Sequence, residues 1–169
     1  MDYCTQLLKE HSRINMNGIA ELVGHSPIEF KKIIEIIYNE KPPLPQRASW
    51  ILAIVNNTHP ELLVPYLSLF IDTVSEFKVN GIKRNMMVVL SKHTIPEELQ
   101  GKLIDVCFNL ILSNTETVVV KTEAMQCISN IAKEHPAIAN ELKLVIMDQL
   151  PKTTAAFHLR AEHILKSIN

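Results

Sequence analysis

Four basic residues stand out by their spacing. Arg47, Arg84 and Lys121 fall 37 residues apart, each near the start of an apolar helical pattern, and Arg160 follows in the same setting. Guanidinium and ammonium groups hold carboxylates and phosphates through charge-assisted hydrogen bonds. A cation near a helix N-terminus also opposes the positive end of the helix dipole, so a row of them calls for neighbouring carboxylates or an anionic partner. Arg47, Arg84, Lys121 and Arg160 are therefore the expected partner-binding row, with an acidic protein segment as ligand. A second alignment competes with this one. Matching His59-Pro60 to His135-Pro136 sets Glu123 opposite Arg47, and Glu123 also stands beside Lys121. In that register the cations are scattered, solvated charges.

Seven histidines and three cysteines raise metal and nucleophile chemistry, and their spacing argues against both. No two histidines have the i,i+4 separation of helical metal ligands, and His158 and His163, five apart, point to different sides of a helix. His59, His93 and His135 close successive helical patterns, where a polar or cationic side chain suits the last carbonyls. Cys107 and Cys127 lie inside apolar patterns, the usual setting of buried structural cysteine. The chain has no Gly-x-Ser-x-Gly elbow, phosphate loop or dinucleotide fingerprint, and four glycines are too few for most nucleotide cradles. Trp50, the single tryptophan, offers a surface for stacking a base, although a tryptophan in a helical pattern is more often partly buried packing. No catalytic residue, cofactor or metal is expected.

The elements that position these residues are helices. The chain is 47% apolar but only 5% aromatic, so its core is aliphatic, and 169 residues suffice for one domain. A net charge of −1 gives no whole-molecule field that would draw in nucleic acid. The odd, scattered cysteines read as reduced thiols, no basic-then-apolar leader opens the chain, and no apolar run reaches membrane-spanning length; a cytoplasmic protein is expected.

The pattern predicts a first helix over 3–14 and a second around Ile19, Leu22 and Val23 that stops at Gly24 in a left-handed cap. Ser26-Pro27-Ile28-Glu29 is a capping box opening a third. The prolines of 42–45 make a stiff connector. From there helices follow over 46–57, over 61–78 with Pro65 bending its first turn, and then around Met86, Leu103, Cys127, Leu142 and Ala161. Arg47-Ala48-Ser49-Trp50-Ile51-Leu52 returns as Arg160-Ala161-Glu162-His163-Ile164-Leu165. A two-helix module of about 37 residues, recurring, signals a stacked solenoid.

Paired helices with alanine inside the first and proline opening the second (Ala48, Leu52, Val55, Pro60, Leu63 and Leu67, then Ala124, Ile128, Ile131, Pro136 and Leu142) resemble HEAT and armadillo repeats. The resemblance covers residues 45–169; residues 1–40 are less regular and are expected to cap the stack. The turn aspartate and second-helix arginine usual in HEAT repeats are absent. The resemblance implies an all-α, right-handed superhelix of antiparallel pairs, residues 1–169 forming one domain, and a non-catalytic scaffold gripping a protein on a surface built across repeats. Some DNA glycosylases that excise alkylated bases are also HEAT-like, which keeps DNA binding as the alternative. Those enzymes use a basic groove with tryptophan, aspartate and arginine, and here no acidic residue is placed beside Trp50. Nucleic acid and membrane are accordingly not the expected partners.

Overall fold

The computed structural model describes residues 1–168; Asn169, the last residue of the expected domain, lies outside them. Among the described residues there are ten α-helices and no strand: α1 (Tyr3–Lys9), α2 (Arg13–Gly24), α3 (Pro27–Asn39), α4 (Leu44–Thr58), α5 (Leu67–Thr73), α6 (Asn80–Lys92), α7 (Glu97–Leu112), α8 (Val118–Ala132), α9 (Pro136–Gln149) and α10 (Ala155–Ser167). They stack in two layers. Helices α2, α4, α6, α8 and α10 pack in that order along one another, and α3, α5, α7 and α9 lie behind them as their antiparallel partners. The chain is an all-α solenoid.

Burial sets the repeat register. Leu44, Ile82, Val120 and Phe157 occupy equivalent buried positions, as do Ala48, Met86, Ala124 and Ala161, and likewise Ile51, Val89, Cys127 and Ile164. The first two steps are therefore 38 residues and the last 37. Ala48, Ala124 and Ala161 are fully buried, small enough for neighbouring helices to approach. Directional bonds fix the same seams. Asn85 donates to Ser49 Oγ at 3.0 Å, Asn130 donates to the Ser91 carbonyl at 2.8 Å, and the His93 ring meets Asn56 Oδ1 at 2.6 Å. A slipped register would leave such groups unpaired, at roughly 1–3 kcal/mol each.

Several local expectations hold. Ser26 Oγ accepts from the Glu29 amide at 3.3 Å, with Pro27 in the first turn of α3. The Glu29 carboxylate does not close the box; it accepts from Tyr3 at 2.7 Å and Lys32 at 2.6 Å. Other expectations differ. The first helix ends at Lys9, because Asn15 Nδ2 captures the Gln6 and Glu10 carbonyls and turns the chain. The helix expected over 61–78 is broken: 3₁₀ turns at Pro60–Leu62 and Val64–Tyr66 precede α5, and a third follows at Val74–Glu76. Pro60 and Pro65 both lack an amide hydrogen, so no α-helical ladder runs through the stretch. Gly24 is the last residue of α2 and has no positive φ. It is needed for a close approach instead, since a Cβ there would lie 2.6 Å from His59 Cδ2.

Candidate partner-binding face

The four cations of the expected row do not share one face. In the buried register the position of Arg47 corresponds to Asn85, Glu123 and Arg160, while Arg84 corresponds to Gln46, Thr122 and Leu159. A spacing of 37 against a structural step of 38 moves each successive cation by one residue, about 100° around its helix. The consequences are individual. Arg47 turns to the end of α1, donating to the Leu7 carbonyl at 2.7 Å and the Leu8 carbonyl at 3.3 Å. Arg84 is exposed and reaches only Asn85 Oδ1. Lys121 is only 6% exposed; it donates to Gln149 Oε1 at 3.4 Å, and burial lowers its pKa. Arg160 bonds Gln126 at 3.2 Å and Glu123 at 3.4 Å. A buried lysine committed to Gln149 offers nothing to a partner, so Lys121 leaves the row. Arg47, Arg84 and Arg160 remain on the layer of α4, α6, α8 and α10.

That layer has a property the spacing did not reveal. Its four helices carry seven lysines and arginines against Glu123 and Glu162 alone. The partner layer is the reverse: residues 60–76 with α7 and α9 carry eight carboxylates against Lys102 and Lys143. The overall charge of −1 thus conceals two layers of opposite sign, with Lys83 and Lys121 of the cationic layer buried and the remaining five cations on its surface. Within the cationic layer, Arg160 is paired with Glu123, and Lys166 with Glu162. Among the described residues no carboxylate lies within ion-pair distance of Arg84 or Lys92, and Lys92 donates to Asn57 Oδ1 at 2.9 Å. Half-buried Trp50, Ile54 and Val88 stand on the same helices. The face combines cations with apolar footholds.

The other candidate groups lie in packing contacts and at helix ends. Trp50 meets the His11 ring edge-on at 5.5 Å. His59 caps α4 and packs against His25 at 5.2 Å. His93 caps α6, and burial lowers its pKa below the usual 6.5. His135 precedes α9 rather than ending α8, which stops at Ala132. Cys127 is buried; the neighbouring Cys107 thiol and then burial push its own thiol well up, which suppresses the nucleophilic thiolate. Among the described residues no three His, Cys, Asp or Glu side chains are grouped to hold a metal ion, and no helix is long and apolar enough to cross a membrane.

This stacked architecture agrees with comparison to known proteins. A family model described as HEAT repeat domain matches residues 3–168, so the match takes in the first three helices as well as the later repeats. The chain belongs to the HEAT repeat domain family. No curated protein matches it.

Proposed function

We propose that this chain is a non-catalytic, cytoplasmic interaction module that holds an acidic protein segment across α4, α6, α8 and α10. The observation that carries the reading is the segregation of charge between the two helix layers. An acidic segment laid over α4 and α6 meets Arg84 and Lys92, which have no acidic partner among the described residues, while its apolar side chains rest on Trp50, Ile54 and Val88. The acidic opposite layer orients such a segment and rejects it from the wrong face. Three free thiols support an intracellular setting. The DNA-binding alternative is less favoured. Affinity for a phosphate backbone grows with the number of phosphates neutralised, and here Lys83 and Lys121 are buried while Arg160 and Lys166 already face carboxylates.

Fluorescence anisotropy with a labelled glutamate–serine peptide and a DNA duplex, each at low and raised salt, tests the proposal. The peptide is expected to bind and to be released by salt. The Arg84→Glu/Lys92→Glu variant is expected to lose binding while keeping its melting temperature, because exposed charges contribute little to stability. Preferential duplex binding with a steep salt dependence would favour the alternative, and absence of peptide binding at low salt would remove the proposal.

A further inference from the structure

The seams between helices of the cationic layer are not filled alike. At the α4–α6 seam, Gln46 lies over Gly81; a Cβ on Gly81 would already be 3.4 Å from the Gln46 amide nitrogen. The equivalents of these two positions at the α8–α10 seam are Thr122 and Ala156. Threonine is too short to cover the seam, and its hydroxyl turns back to the Val119 carbonyl at 2.9 Å. A groove of about 550 Å³ opens there, bounded by Val118 and Val119 on α8, by Ala156 and Leu159 on α10, and by Gln126, Arg160 and His163 toward one end. Leu159 is 73% exposed on its rim and Val119 44%.

We infer that this groove is the anchor for one aliphatic side chain of the acidic segment, a leucine or isoleucine held between Val119 and Leu159. The inference rests on the acid-binding reading above and gives it a specificity determinant. Three features select the occupant. The walls away from the polar end, Val118, Val119, Ala156 and Leu159, are aliphatic and gain nothing from a polar residue. The cations Arg84 and Lys92 lie on α6, one helix before the groove, so the flanking chain is acidic. Neighbouring axes are about 10 Å apart, so an extended chain runs from α6 to the α8–α10 seam in about four or five residues. Arg160, at the polar end, uses two guanidinium nitrogens on Gln126 and Glu123 and keeps further N–H groups for a backbone carbonyl or carboxylate beside the anchor.

Two glutamate–serine peptides, identical except for one leucine or alanine at the anchor position, are titrated against the full chain. The leucine peptide is expected to bind about tenfold more tightly or better, the gain from burying a leucine side chain in place of alanine. Leu159→Asn, which removes the apolar wall without adding charge, should bring the leucine peptide down to the level of the alanine peptide without altering the alanine peptide's affinity. Thr122→Gln, which places over Ala156 the side chain that Gln46 places over Gly81, should do the same by closing the groove. Equal affinity of the two peptides for the unaltered chain, or an unchanged leucine preference in folded Leu159→Asn and Thr122→Gln, would overturn the anchor while leaving the acid-binding face in place. If neither peptide binds at low salt, the face and the anchor fail together.

Discussion

Removing the Glu116 carboxylate should destabilise this solenoid more than any change of exposed charge. Lys83, on α6, forms an ion pair with Glu116, in the connection between α7 and α8, and Lys83 is only 9% exposed. The other oxygen of Glu116 is buried without a hydrogen-bond partner among the described residues. Lys121 is buried nearby; desolvation is the largest influence lowering its pKa, and the Glu116 charge works in the opposite direction. One carboxylate therefore compensates two buried ammonium groups. At an effective dielectric near 20, a contact pair about 4 Å apart is worth about 4 kcal/mol. Leaving a buried charge unpaired costs about 3–5 kcal/mol. We expect Glu116→Ala to lower the unfolding free energy by about 3 kcal/mol, since slight exposure of both side chains lets water recover part of the loss. Lys83→Met with Glu116→Leu should recover part of that, because the pair's desolvation cost disappears with it while buried Lys121 still loses the Glu116 charge. Urea unfolding followed by circular dichroism and by Trp50 fluorescence measures both, and coincidence of the two transitions establishes two-state behaviour. A cost below about 1 kcal/mol for Glu116→Ala, the level of an exposed pair, would refute the reasoning. So would a double variant as unstable as the single one.

Three further outcomes are expected. Ala124→Leu should cost about 1–3 kcal/mol in urea unfolding by overpacking a fully buried seam between helices, and an unchanged midpoint would contradict that packing. Gly24→Ala should destabilise by about 1 kcal/mol, because the new methyl displaces the His59 ring; in a His59→Ala background the same change should be neutral or stabilising, since alanine is the better helix residue. His93, whose pKa burial lowers from 6.5, binds a proton more readily when unfolded. Its contribution to stability is thus present above about pH 6.5 and is lost as pH falls toward its lower folded value, so His93→Gln should flatten the stability profile between about pH 7 and 5.

The stacked fold was legible because its signals are local and repeated. The alanine-centred stripes, the prolines opening α9 and the turn after α4, and the serine cap of α3 each carry their own physics. The break within 61–78 is masked in the sequence by apolar spacing that stays helical throughout, while two prolines with missing donors break the ladder. The role of Gly24 is hidden for a different reason: the close approach comes from His59, 35 residues away, and no local pattern encodes that contact. The site was legible only in part. The charges suggested a step of 37, yet the step of 38 was available in the paired His-Pro endings, and the buried residues follow that second register. What remained hidden was the division of charge between layers, which requires knowing which helices face the same way. The groove at α8–α10 was hidden too, because it arises from comparing Thr122 with Gln46 in the structural register.

The most direct test of the cationic face is a nuclear magnetic resonance titration of the isotopically labelled full chain with a glutamate–serine peptide carrying one leucine. The account predicts salt-reversible shifts of backbone amides on the open face of α4, α6, α8 and α10, with Arg84, Val88, Lys92 and Leu159 among them. Shifts confined to residues 60–76, α7 and α9, or no shifts at low salt, would contradict it.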